Sequence, residues 1–332
     1  MHMESSKDFL EFHGLPKEII LSLIGRAQSL ATAWNDRSMP QSLSGKRVAL
    51  IADDSGWRNT TAFDLGVQAM GGICVQSPIR FNASEATADL AGYLDNWFDI
   101  LVVRTKELSA LKELASIARA AVVNARTRSN HPCETLGDLA YIQSKRGTLE
   151  GMKVVGVAPD ANIFRSWVEA SISMPIQVRQ VYPENWHVKD VSLSGPNFAA
   201  NTDLKELLDA DVIVTDSWPN EANEEQMLEY QISPSVLEKC RPDVIFRPFP
   251  GERKSLLTQC VIQLARVPLQ RLIFSTRKTP CSNGSLHNRY DPPAVLLLNL
   301  LDFFWCTNAS VDPWRHAVSR ARNCRPCLRA GP

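Results

Sequence analysis

The sequence predicts an α/β fold of two doubly wound parallel-sheet domains with an active-site cleft between them, and three observations carry that expectation. The chain has 332 residues, too many for one ordinary core and enough for two domains of about 150 residues each. From residue 46 onward, apolar runs of strand length alternate with longer stretches at helical period, the pattern of parallel strands covered by helices. Near residue 147 a helical stretch closes on Gly147, and a new strand pattern starts close to Met152 without a long linker, which marks a domain boundary.

Taken in order, the first strand is RVALIA at 47–52, followed by a helical pattern at 61–70 and a short strand at 73–76. A helix at 87–97 leads to ILVV at 100–103, and a helix at 108–118 leads to AVV at 121–123. The stretch HPCETLGDLAYIQSKR at 131–146 is helical, with Pro132 suited to its first turn. In the second half the strand patterns are 153–157, 177–181, 212–215 and 244–246. From about residue 267 to 332 the period is lost: five of the eight cysteines lie at 260 or later, and Pro, Arg, Ser and Asn cluster there. Disorder, divergence and an altered reading frame all fit that tail.

Composition narrows the function classes. Hydrophobic residues make up 44% and charged residues 22%, values of a globular chain that folds in water. Lys plus Arg equals Asp plus Glu at 36 each, so no global field favours nucleic acid or an anionic membrane, and any anion must be gripped locally. No basic segment leads into an apolar one at the N-terminus, which gives a cytoplasmic expectation, with reduced thiols. The longest apolar run, 292–306, is broken by Asn299 and Asp302 and is shorter than the ~20 residues of a spanning helix. Cys324 and Cys327 form a lone CxxC without a second ligand pair, a weak metal signal. No GxGxxG follows a strand, which disfavours a dinucleotide.

Open α/β sheets bind ligands beyond the carboxyl ends of their strands, where helix N-termini offer unpaired N–H groups to anions. Four places qualify. In DSGWRNTTAFDLGVQAMGG (54–72) a polar loop with Ser55, Gly56, Arg58 and Asn59 leads from a strand into a helix; Gly56 permits close backbone approach and Arg58 can fork onto phosphate oxygens. In VVRTKE (102–107), Arg104 and Thr105 stand directly at a strand end. In NHPCETLGDL (130–139), His131 opens a helix and can polarise a carbonyl oxygen. In FRPFPGERK (246–254) a Pro-spaced loop carries Arg247 and Arg253. Each alone also fits a solvated base or a helix cap; their joint order is more specific.

In that order and spacing the chain resembles the aspartate/ornithine carbamoyltransferase superfamily, and the ornithine branch most, over roughly residues 8 to 260. Gly56-Trp57-Arg58-Asn59-Thr60 looks like the family's phosphate loop Ser-Thr-Arg-Thr-Arg, with the central Arg58 kept. Residues 83–94, ASEATADLAGYL, look like its G-E-S-I-x-D-T-A segment, and Val103-Arg104-Thr105 like its Arg-Thr strand end. His131-Pro132-Cys133-Glu134 is similar to His-Pro-Cys-Gln, with Glu134 where the glutamine reads the carbamoyl amide. Asn162 falls on the second Asn of the family's Asn-Asn, Asp216 on the carboxylate of Thr-Asp-x-Trp, and Arg247-Pro248-Phe249-Pro250 on His-Cys-Leu-Pro with Arg253 following.

The resemblance implies a carbamoyl-phosphate domain at 1–147, an amino-acid domain at 148–266 and an atypical tail at 267–332. It implies transfer of the carbamoyl group of carbamoyl phosphate to an amino-acid amine, ornithine to citrulline first, as in arginine biosynthesis. Substrate contacts then fall on Gly56, Trp57, Arg58, Asn59, Thr60, Arg104, Thr105, His131, Glu134, Asn162, Asp216, Pro248, Phe249 and Arg253, with Arg104, His131 and Arg253 catalytic. It further implies that no metal or organic cofactor is required, and that the assembly is a homotrimer with each site completed by a neighbour's loop near residues 79–84. Trp57, Asn59, Thr60 and Glu134 depart from the family pattern, so two alternatives stand beside this expectation: another acceptor amine, or a silent homologue acting by binding or regulation.

Overall fold

The computed structural model describes residues 7–53, 56–79 and 85–247. An opening helix, α1 (Lys17–Asn35), buries Ile20, Leu23, Ile24, Ala27 and Leu30, a single face at helical spacing. The first sheet follows through β1 (Arg47–Ala52), α2 (Trp57–Ala69), β2 (Ile73–Ser77), α3 (Thr87–Trp97), β3 (Ile100–Arg104), α4 (Leu108–Ile117) and β4 (Ala121–Arg126). Its order is β2-β1-β3-β4 and every pair is parallel. The connections reverse direction between β1 and β3, so the crevice beyond that pair's carboxyl ends is where a doubly wound sheet takes its ligand.

Helix α5 (Pro132–Arg146) leads to the second sheet and ends at Gly147, whose φ of 80° closes it in the left-handed conformation glycine favours. Then come β5 (Met152–Val157), α6 (Asn162–Ser173), β6 (Ile176–Val181), β7 (Phe198–Asn201), β8 (Val212–Thr215), α7 (Glu224–Leu228), α8 (Pro234–Leu237) and β9 (Ile245–Arg247). The order is β7-β6-β5-β8-β9, again parallel throughout. Its reversal lies between β5 and β8, the second point at which a ligand is expected.

One apolar core runs through both halves. Ile100, Val102 and Val123 of the first sheet, Leu136 and Leu139 of α5, Phe164 and Trp167 of α6, and Val154, Val178 and Val212 of the second sheet belong to the same buried cluster. Helix α5 packs on α1, on β4 and on α6, and so sits between the sheets. The outer faces have separate clusters, Ile51, Leu101, Val103 and Leu114 on one side and Val155, Ile213 and Met227 on the other.

Three features differ from the sequence expectation. Trp57, Arg58, Asn59 and Thr60 form the first turn of α2 rather than a loop, because the Thr60 amide donates to the Gly56 carbonyl at 3.0 Å and closes that turn. Strand β4 runs three residues further, to Arg126. Helix α1 and edge strand β7 were not anticipated. Among the described residues no helix is long and apolar enough to cross a membrane. Pro248, Phe249, Arg253, the tail at 267–332 and the Cys324/Cys327 pair lie outside the described residues.

Candidate active site

At the first reversal point, Arg104 ends β3 and lies against the start of α2. A Cβ placed on Gly56 would run into the Arg104 Cζ and Nε atoms, so the guanidinium rests on the glycine itself. Only a residue without a side chain lets it reach the N-terminus of α2, where amide donors face outward. Thr105 donates from Oγ1 to Asp53 Oδ2 at 2.6 Å and from its amide to the Arg126 carbonyl at 3.0 Å, so both its donors are already engaged. Arg58 is exposed, with its guanidinium 5.3 Å from the centre of the exposed Trp57 ring. Asn59 Nδ2 donates to the Ala125 carbonyl at 3.5 Å while its Oδ1 is buried without a partner. Thr60 Oγ1 bonds back to the Trp57 carbonyl at 3.2 Å.

Beyond β4 the chain turns through 127–131 into α5, held by side chains far away in sequence. Thr127 Oγ1 donates to Asn130 Oδ1 at 2.8 Å, and Asn130 Nδ2 donates to Glu169 Oε1 at 3.2 Å. The His131 amide donates to Ser166 Oγ at 2.8 Å, and Asn162 Nδ2 donates to the Thr127 carbonyl at 2.8 Å. Asn162, Ser166 and Glu169 are spaced four and three residues apart, one face of α6, and that face holds the turn presenting His131. Cys133 Sγ closes it from beneath by donating to the Asn124 carbonyl at 3.1 Å.

His131 is buried, and its Nε2 stands 3.0 Å from Glu134 Oε2. Burial, then the charges of Arg104 and Arg126, hold the imidazolium down to a pKa of about 3, so the ring is neutral at physiological pH. Its Nδ1 is buried with no hydrogen-bond partner in the described structure. Although 37% of the Glu134 side chain is exposed, loss of solvent raises its carboxyl, against the pull of Arg247, Arg126 and Arg104. The tautomer follows from that proton: an ionised Glu134 accepts from Nε2–H, whereas a protonated one donates to Nε2 and leaves Nδ1 as the N–H donor.

From the second sheet, Asp216 follows β8 and accepts the Ser217 amide at 2.7 Å. Burial first, with the Glu134 charge adding, raises it to about 6. Arg247, at the end of β9, pairs with Asp138 of α5 and lies 5.4 Å over the Tyr141 ring. The structure thus brings Arg104, His131, Glu134 and Asp216 into one electrostatic neighbourhood at the carboxyl ends of two sheets, and keeps Trp57 and Arg58 at its rim. Sequence reasoning passed over Arg126, Asp138, Ser166 and Glu169. The strand-end rule that selects Arg104 also selects Arg126 once β4 is given its full length; the other three are visible only through partners distant in sequence.

Such an arrangement can hold an anion at the start of α2, polarise a neutral carbonyl at His131 and hold a cation at Asp216. Comparison with known proteins points the same way. The family profile described as "Aspartate/ornithine carbamoyltransferase, carbamoyl-P binding domain" matches residues 7–144, and "Aspartate/ornithine carbamoyltransferase, Asp/Orn binding domain" matches residues 150–267. The chain is 27% identical over 275 residues to an ornithine carbamoyltransferase of Bradyrhizobium diazoefficiens, covering 78% of this chain and 90% of that one. It is 30% identical over 236 residues to that of Nitrobacter winogradskyi, covering 66% and 77%. Among solved structures, ornithine carbamoyltransferase from Pyrococcus furiosus superposes with a TM-score of 0.70 at 25% identity over 75% of this chain and 87% of that one. The Thermus thermophilus enzyme superposes at 0.74 over 92% and 99%, with 22% identity.

Proposed function

The chain belongs to the aspartate/ornithine carbamoyltransferase family, and we propose that it transfers the carbamoyl group of carbamoyl phosphate to an amino-acid amine, with ornithine as acceptor and citrulline as product. The observation that carries this reading is His131, buried and neutral, its Nδ1 unpartnered, in the field of Arg104. A neutral imidazole can donate to a carbonyl oxygen without giving up its proton, which is what a developing oxyanion needs.

In this reading residues 1–147 bind the carbamoyl donor and 148–266 the acceptor. The neutral amine attacks the carbonyl carbon and forms a C–N bond; the tetrahedral oxyanion collapses, the C–O bond to phosphate breaks, and the amine proton leaves with phosphate or solvent. Arg58, Arg104 and the amides of Gly56 to Asn59 take the phosphate. His131 and Arg104 face the carbonyl oxygen, with Thr105 fixing Asp53 beside them, and Arg253 takes the carbamoyl end with Pro248 and Phe249. Asn162 and Asp216 hold the amino acid. Oxyanion donors of this kind supply on the order of 3 kcal/mol each, and alignment of amine and carbonyl supplies much of the rest. The same reading makes the protein a cytoplasmic homotrimer, testable by light scattering.

The decisive experiment is mass spectrometry of ornithine, acetylornithine, putrescine and aspartate incubated with carbamoyl phosphate and the purified chain. Citrulline above the no-enzyme control is the expected result. Another carbamoylated product reassigns the acceptor, and no product from folded protein overturns the proposal.

A further inference from the structure

Strands β3 and β4 run in strict register from Ile100 opposite Ala121 to Val103 opposite Asn124, and there the register breaks. The next partners are Arg104 and Arg126, so Ala125 is the extra residue of a bulge. Partners in register on adjacent strands direct their side chains to the same face of the sheet. In an unbroken ladder Arg104 would lie beside Ala125, and Arg126 would fall one position further on, facing the other way. The bulge turns Arg126 to Arg104's side, and the Thr105 amide, donating to the Arg126 carbonyl at 3.0 Å, holds it there.

A second observation sets both arginines in the electrostatic field of the same neighbours. The charges of Arg104 and Arg126 act together on His131 and on Glu134. Arg126 extends further, to Asp216. At the start of α2, by contrast, the single base Arg58 is exposed and lies on the Trp57 ring. A phosphoryl dianion settling against Gly56 therefore finds its fixed positive charge at the strand edge.

We infer that Arg126 is a second guanidinium for the phosphoryl group of the carbamoyl donor, set beside Arg104 by the bulge at Ala125. The inference rests on the carbamoyl-phosphate reading of the site and names a residue that reading does not contain. Two forks side by side can each bind two oxygens of one phosphoryl group, which selects a dianionic phosphoryl donor over a singly charged carboxylate.

The test is calorimetric titration of the full chain with inorganic phosphate, with carbamoyl phosphate and, separately, with ornithine, for the wild type, R126Q, R126K and the surface control R128Q. Arg128 is an exposed residue paired with Glu107 at 3.5 Å. R126Q should weaken phosphate binding about tenfold or more, R126K about threefold, and R128Q by less than twofold. Ornithine binding should be unchanged in all three. Folded R126Q or R126K that binds phosphate like the wild type overturns the assignment while leaving the carbamoyl-phosphate reading intact. Loss confined to ornithine also overturns it and gives Arg126 to the acceptor carboxylate. A wild type that binds neither phosphate nor carbamoyl phosphate overturns both. Should R126Q fail to fold, the R126K titration decides alone.

Discussion

Arg247, at the end of β9, and Asp138, in the middle of α5, form an ion pair that fastens the second sheet to the helix opened by His131. Burial raises the Asp138 carboxyl to about 6 even with the arginine beside it, so the pair is enclosed rather than superficial. Removing one partner strands the other in a poorly solvated place. R247Q should lower stability at neutral pH by on the order of 2 kcal/mol, below the 3–5 kcal/mol of a fully buried pair because 37% of the Arg247 side chain is exposed. Urea unfolding checks it, and an unchanged midpoint would count against a structural role for the pair.

Glu134 sets a negative charge among Arg104, Arg126 and Arg247. E134Q keeps the shape and removes the charge, so an anion should bind about tenfold tighter, the equivalent of one pKa unit of interaction. The gain should shrink as pH falls, because the raised Glu134 carboxyl of the wild type then becomes neutral as well. Phosphate titrations at two pH values would measure both effects.

Substitution of Gly56 by Ala puts a Cβ where the Arg104 guanidinium lies. The arginine has to move, and a displacement of about 1 Å at a reacting group can reduce turnover roughly 10²-fold. Activity should fall in G56A with little change in thermal midpoint, since Gly56 caps α2 at a negative φ of −65° that alanine also adopts. Equal loss of stability and activity would refute this account.

Glu169 is buried beneath the 127–131 turn, where its Oε2 accepts the Phe12 amide at 3.1 Å, and burial raises its pKa from 4.5 to about 7. A carboxyl whose folded pKa is raised holds its proton in the native state while the unfolded chain has already lost it. Its contribution is therefore complete below pH ~4.5 and is lost as pH climbs towards ~7, a difference of about 3 kcal/mol. E169Q should remove that slope. Chemical denaturation of both proteins from pH 4.5 to 7.5 should show the variant gaining relative to the wild type as pH rises; parallel curves would rule the linkage out.

Much of this was legible in the sequence because parallel strands are apolar along their whole length. RVALIA, ILVV and VIVT could hardly be anything else between helical stretches, and the order of Arg58, Arg104, His131 and Arg247 along the chain already pointed to one family. FAAN, the edge strand β7, carries too little apolar surface to signal itself, and its connection from β6 has no covering α-helix. Helix α1 was missed although Ile20, Leu23, Ile24, Ala27 and Leu30 repeat at helical spacing, because the strand alternation begins only after it. The α6 face is a different matter. Asn162 contacts residue 127 and Glu169 contacts residue 130, distances along the chain at which no local pattern exists to be read.

The grip of α6 on the 127–131 turn also limits how the two halves can evolve apart. Asn162, Ser166 and Glu169 come from one side of Gly147, and the turn and His131 from the other. A recombinant that exchanged the halves at Gly147 would inherit His131 without the helix that seats it. The unit of inheritance here is the pair of segments together, and a working chimera must carry both from the same parent.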